Sequence, residues 1–341
     1  MNVTNFVSAA LPVGRQDFGR DRGPLRRTAG LALGLLLCLC AATRPTLAQE
    51  PLPKLPERRL LLTSLTLARW NPIGLESQVR AGYLQQLYQR PDSRALRDNF
   101  VYAGTFLRFN PASLRAAAVV ELQPLSLINL RATAEVLQFF GTFTFVQSRR
   151  SASDAWDDAT LKANKTGPQG NYAASGVHIS FEPLVQAKVG PIALRSRAFL
   201  GWFDLALERG DQVFYEATLD TLLPNRAWTL ANDADVLTQL PMGEALLTAG
   251  VRWSSVRPLY RADHVLANQD PQGMRNGHDR IGLLLAYTLW DRGQAHFNRP
   301  TIVFNPAWYV DHRFRDGAAV SRAMPYLMLA FAFTSDFLDV K

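Results

Sequence analysis

The chain has 341 residues, of which 48% are hydrophobic, 10% aromatic and 19% charged, and its mean hydropathy is −0.06. That balance excludes a bundle of membrane helices, yet it is too apolar and aromatic for a disordered chain. Two cysteines exclude a disulfide scaffold and a cysteine-based zinc finger.

Residues 1–48 read as a secretory signal peptide. Arg26 and Arg27 form a basic flank, Ala29 to Ala42 is an uncharged apolar run, and Thr46-Leu47-Ala48 supplies a small-x-small cleavage site. The run is shorter than the roughly 20 residues of a spanning helix. Thr28-Ala29-Gly30 lacks the bulky apolar residues of a twin-arginine signal, and Leu37 and Leu39 beside Cys38 and Cys40 argue against lipidation. Cleavage after Ala48 leaves no cysteine, which suits passage through an oxidising periplasm. It also removes six arginines and two aspartates, lowering the net charge from +8 to +4. Most support for a nucleic-acid partner goes with it. Residues 49–59 then form a short periplasmic N-terminal segment.

Beyond Ala48 the chain alternates with period two. Leu114, Ala116, Ala118, Val120 and Leu122 alternate with Arg115, Ala117, Val119 and Glu121. Ile128, Leu130, Ala132, Ala134 and Val136 alternate with Asn129, Arg131, Thr133 and Glu135. Val177, Ile179, Phe181 and Val185 oppose His178, Ser180, Glu182, Gln186 and Lys188. Leu194, Ala198, Leu200 and Trp202 oppose Arg195 and Arg197; Tyr215, Ala217 and Leu219 oppose Glu216, Thr218 and Asp220. Leu247, Ala249, Val251 and Trp253 oppose Thr248, Arg252 and Ser254, and Leu327, Leu329, Phe331 and Phe333 oppose Tyr326, Met328, Ala330 and Ala332. Such strands separate an apolar medium from a polar one. A soluble lipocalin or sandwich would turn the apolar face inward, and a transmembrane barrel would turn it to lipid. The windows exceed the usual five or six residues of a globular strand and match the about 9 to 11 of a membrane strand. Aromatics near window ends (Phe139-Phe140, Trp202-Phe203, Phe214-Tyr215, Trp253, Trp290, Trp308-Tyr309) fit interfacial girdles.

The alternation predicts a transmembrane antiparallel up-and-down β-barrel over 60–337, with strands at 60–70, 75–88, 98–109, 113–123, 126–140, 176–189, 191–206, 212–223, 244–258, 280–290, 300–312 and 324–336. That makes about twelve strands, with ten to fourteen allowed. Tight connections at Pro124-Leu125 and Gly190-Pro191 mark the periplasmic side. The polar stretches 147–175, 261–279 and 314–323 then become outer loops. The stretch 224–243 fits badly, being long for a periplasmic turn; 231–240 is expected to form a short helix there, or the stretch hides an extra hairpin.

The signal, the alternating strands and the terminal strand Pro325 to Phe337 resemble bacterial outer-membrane β-barrel proteins as a class. The resemblance covers roughly residues 60–337. It implies insertion by the barrel-assembly machinery, which reads a terminal aromatic such as Phe337, and outer-membrane lipid as the surroundings. Leu338 to Lys341 extend the chain beyond that aromatic.

The predicted lumen side carries Arg115, Glu121, Arg131, Glu135, His178, Glu182, Lys188, Arg195, Arg197, Glu216, Asp220, Arg252, Asp311 and Arg313. Opposite charges there either pair into a structural network that plugs the barrel or line a path for a small polar or anionic solute. His178-Ile179-Ser180 has the spacing of the catalytic pair of outer-membrane phospholipases, but Val177, Ile179 and Phe181 claim the lipid side, so the pair points inward. No metal-ligand spacing, phosphate-binding loop or cofactor motif is present. The expectation is therefore a non-enzymatic, porin-like passive channel. The alternatives are a non-conducting structural or adhesive barrel and, after it, a lipid hydrolase.

Overall fold

The computed structural model describes residues 56–338, apart from 91, 92, 94, 144, 168, 169 and 294. The expected signal peptide lies outside them. Twelve long strands close into one antiparallel barrel. In chain order these are β1 (Arg58–Trp70), β2 (Gly74–Gln85), β3 (Phe100–Asn110), β4 (Ser113–Leu125), β5 (Ile128–Phe140), β7 (Ala173–Val189), β8 (Ile192–Leu205), β11 (Trp228–Met242), β12 (Ala245–Pro258), β13 (His278–Thr288), β14 (Asn298–Asp311) and β15 (Tyr326–Asp336). β1 pairs with β15 from Leu61↔Asp336 to Trp70↔Leu327, which removes any free edge. The remaining strands, β6 (Ser148–Arg149), β9 (Val213–Glu216) and β10 (Thr221–Pro224), form a separate small sheet.

The wall keeps the period-two rule on both sides. Val120, Val136, Val185, Val236 and Leu329 point outward and are more than half exposed, a surface that only lipid covers. Trp70, Phe109, Phe140, Trp228, Trp253 and Trp308 lie outward near the strand ends opposite the first and last described residues. They form one aromatic girdle. Of the aromatics expected there, Phe139, Phe203 and Tyr309 instead face inward and are buried.

Two expectations need correction. Residues 212–223 are not a wall strand: β9 and β10 form a hairpin, buried at every position, that leaves the wall. Asp220 has φ 50° and Glu216 pairs with Thr221, so 217–220 is a turn. The apparent alternation there ran through a reversal of the chain. The wall strand is β11, within the stretch expected to hold a helix or an extra hairpin. Asn232, Asp233 and Asp235 are poor strand formers. Here Asp233 and Asp235 face arginines on both neighbouring strands, and those pairings override propensity. The strand total stays at twelve. The long connection becomes 206–227, at the same end as 141–172, 259–277 and 312–325. We call this the loop end; the first and last described residues and the short turns 126–127, 190–191 and 243–244 lie at the other, terminal end.

Candidate functional site

The lumen is filled by two unlike sectors and a cap. On β2 to β7, ion pairs run from strand to strand. Glu121 on β4 meets Arg80 on β2 at 2.6 Å and Arg131 on β5 at 3.0 Å, and Asn129 Nδ2 donates to its second oxygen at 2.9 Å. The Arg80 guanidinium lies 3.9 Å from the centre of the Tyr102 ring. Glu135 sits among Arg108 (3.8 Å), Arg115 (3.8 Å) and His178 Nδ1 (2.8 Å), and Arg108 reaches on to Glu76 at 3.4 Å. These groups are nearly inaccessible, so each depends on its partners rather than on water. A second cluster spans β8, β11 and β12. Asp235 receives Arg195 at 2.5 Å and Arg252 at 2.7 Å, and Arg252 also meets Asp233 at 3.4 Å. The register puts these side chains directly opposite one another: Arg195↔Asp235↔Arg252, and Arg197↔Asp233↔Ser254↔Arg280 one row nearer the loop end.

The facing sector is apolar. Leu65 and Leu67 on β1, Leu284 and Ala286 on β13, Val303 and Ala307 on β14, and Tyr326, Met328, Ala330 and Ala332 on β15 pack into one buried cluster. Two cavities of about 50 Å³ each remain within the lumen. One lies between the sectors: Arg195 and Arg252 come from the charged side, Leu67, Leu284, Val303 and Met328 from the apolar side, and Arg69 and Arg280 stand on β1 and β13, nearer the loop end than Leu67 and Leu284. The second lies beside Glu135, His178 and Glu182. Each has room for a few waters. Gly201 makes room for two of its lining side chains, since a Cβ there would come within 2.5 Å of the Phe199 ring and 3.1 Å of His178 Nε2.

The β9–β10 hairpin closes the loop end. Phe214, Leu222 and Leu223 are fully buried against Val146, Phe203 and Trp156. Its tip is fastened to the wall by Glu216–Arg115 at 3.2 Å and by Arg69, which donates to Ala217 O at 3.3 Å. Asp220 is the principal anchor. It accepts from Tyr215 (2.9 Å), Tyr309 (2.7 Å) and Arg315 Nε (2.7 Å), and Arg315 continues to Asp158 at 2.7 Å. Asp158 opens a short helix, α1 (Asp158–Ala163), that Asp157 caps. His312 Nδ1 accepts from the Phe314 and Arg315 amides, so its proton sits on Nε2, 3.2 Å from Asp220. Burial alone would raise the Asp220 carboxyl; Arg315 and His312 outweigh it and hold the group well below the usual carboxylate range. Burial likewise opposes ionisation of Glu216, and Arg115 with the Leu219 amide brings it down. Burial and the Asp220 charge push Tyr215 well above its ordinary value. Thr221 donates to Asn276 O at 2.7 Å, and Trp156 Nε1 donates to Asn276 Oδ1 at 3.1 Å, so three loops form one cap.

Of the residues chosen from the sequence, Arg115, Glu121, Arg131, Glu135, His178, Glu182, Arg195, Arg197 and Arg252 lie on the inner wall. Lys188 is exposed at the terminal mouth, where it donates to Gln239. Glu216 and Asp220 are corrected: they belong to the inserted hairpin, not to the wall. Sequence reasoning passed over Glu76, Arg80, Arg108, Asp233, Asp235, Arg280 and Arg315. Glu76 and Arg80 oppose Leu75, Val79 and Tyr83, a legible signal. The helical reading of 231–240 hid Asp233 and Asp235. Arg315 lies in a loop, where no periodicity points to it. His178 turns to Glu135 and stacks on Phe203 at 4.0 Å between ring centres, so its Nδ1 is engaged away from Ser180. Among the described residues, no group of three His, Cys, Asp or Glu side chains is arranged to hold a metal ion.

No protein-family model and no curated protein matches this chain. Among solved structures it is similar in shape to the beta domain of the Bordetella autotransporter Brka, at 9% identity and a TM-score of 0.44, covering 83% of this chain and 100% of that one. An outer membrane channel from Pseudomonas putida F1 has 9% identity and a TM-score of 0.43, covering 86% and 100%. The translocator domain of autotransporter NalP from Neisseria meningitidis has 11% identity and a TM-score of 0.39, covering 83% and 89%. The likeness concerns barrel shape and carries nothing about solute or role.

Proposed function

We propose that this protein is an outer-membrane barrel that passes small anionic solutes and rests with its loop end closed by the β9–β10 hairpin. The observation that carries the reading is the arginine-bearing cavity beneath a hairpin that is not part of the wall. Five of the side chains around this cavity are arginines and three are carboxylates, so it favours an anion over a cation. The barrel closes without the hairpin, because β8 pairs directly with β11. Displacing the hairpin therefore opens one end while leaving the strand ladder whole.

The test is planar-bilayer recording of the full protein beside a variant with residues 213–224 replaced by a short Gly/Ser linker. We expect small or rare openings from the parent and a higher, anion-selective conductance from the variant. A variant that still shifts on a gel upon boiling, and so is folded, but conducts nothing would overturn the reading. The second reading, a sealed scaffold acting through its loops, is favoured by the complete burial of Phe214, Leu222 and Leu223, and it predicts that silent outcome.

A further inference from the structure

The cavity between the two sectors has a feature that the ion-pair networks do not account for. Arg195 and Arg252 share Asp235, Arg252 also reaches Asp233, and Glu76 is taken by Arg108. Arg69 and Arg280 line the same cavity, and neither has a carboxylate within ion-pair distance among the described residues. Arg69 reaches only neutral oxygens of the hairpin, at 3.3 and 3.4 Å, and its Nε is buried without a partner. Arg280 is 6% exposed, and its side chain makes no hydrogen bond to any described residue. Its guanidinium lies 4.0 Å from the Tyr326 ring centre and 5.5 Å from that of Tyr309, and its Nε is also unpartnered. A buried guanidinium with open donors has a standing cost that a bound anion removes. Aromatic faces orient such a group without neutralising it. The same cavity is also lined by Leu67 and Leu284, which lie on the strands of Arg69 and Arg280 but farther from the loop end, and by Val303 and Met328; these side chains cannot solvate a multiply charged ion.

We infer that this cavity binds a short-chain monocarboxylate. Its head is held on the side of Arg280 and Arg69, and its hydrocarbon tail rests on Leu67, Leu284, Val303 and Met328. One negative charge matches the tail's apolar surroundings. A volume of about 50 Å³ suits a tail of a few carbons. The inference rests on the proposal that solutes enter this lumen, and it names their class.

The experiment is saturation-transfer NMR on the full barrel in a neutral maltoside micelle, with butyrate as the probe and butanol and inorganic phosphate as comparisons. We expect butyrate to bind at least tenfold more tightly than either, because butanol lacks the charge and phosphate lacks the tail. Arg280→Met keeps much of the side-chain bulk and removes the guanidinium; it is expected to weaken butyrate at least tenfold and leave butanol unchanged. Arg69→Gln is a second variant with the same direction, which keeps the test decisive if Arg280→Met does not fold. Equal binding of butyrate and butanol, or full butyrate binding in a folded Arg280→Met or Arg69→Gln barrel, overturns the inference. Binding is read without transport. A silent conductance experiment with intact butyrate binding removes the passage reading and leaves the site. Conductance without butyrate selectivity or binding removes the site and leaves the passage.

Discussion

Strands β2 to β7 fill their side of the lumen largely with arginines and carboxylates, whereas β13, β14, β15 and β1, apart from Arg69 and Arg280 towards the loop end, fill theirs mainly with leucine, valine, methionine and alanine. Both sectors face the same interior and share one barrel, yet they hold space by opposite means. On the charged side each group has a named partner, so position is specified pair by pair and the loss of one member strands the others. On the apolar side contact is non-directional, and a side chain of similar volume serves as well. A fixed passage calls for the first kind of wall, and a sliding surface for an apolar tail for the second. Their meeting line is where the cavity lies.

The contrast can be broken experimentally. The largest effect is expected from Glu135→Ala, which strands Arg108, Arg115 and His178. It should cost about 3 to 5 kcal/mol, read as the urea midpoint of unfolding from vesicles. Replacing Glu121 and Arg131 together by leucine and methionine sharpens the point, since exchanging a whole buried pair for apolar groups is often close to neutral. If the double change costs as much as Glu135→Ala, pairing is not what sets the price on this side. Leu65→Ala in the apolar sector should cost about 2 to 4 kcal/mol through its cavity.

Asp220→Asn should weaken the cap by about 2 kcal/mol, because it removes charge-assisted bonds to Arg315 and His312. The expected signature is faster proteolysis in 206–227 with unchanged heat-shift of the wall. A wall that melts in step with the cap would show that hairpin and barrel are one cooperative unit. The cap also has a pH window. The folded values of Asp220 and Glu216 are depressed, so their contribution is fully present above the ordinary carboxylate value near 4 and is lost as pH falls through the lower folded values. Tyr215 is raised, so its contribution is present below about pH 10 and lost above it. Trp156 packs at 5.6 Å from Tyr215, and its fluorescence should hold steady between those limits. The smallest effect is expected from Met328→Leu, under about 1.5 kcal/mol by the same urea assay, since volume is nearly conserved.

Much of this was legible in the residues. Alternation such as Ile128 to Val136 against Asn129 to Glu135 assigns each side chain to a face, because a strand has only two. Strand length then marks the outer medium as lipid. The parity of short and long connections fixed which loops share an end, and the inward charges of β4, β5, β7 and β8 followed from the same period.

Other features depended on partners distant in the chain. Residues 213–224 and 228–242 both carry period-two stretches and acidic residues, and nothing local says which enters the wall. Asp233 and Asp235 are strand residues only because Arg195 and Arg252 stand opposite them. Asp220 is an anchor only because Arg315, 95 positions along the chain, folds back over it. Periodicity reports the faces of a strand. Whether an arginine on the inner face is already neutralised or still open to a ligand is decided by which strands closure brings alongside it.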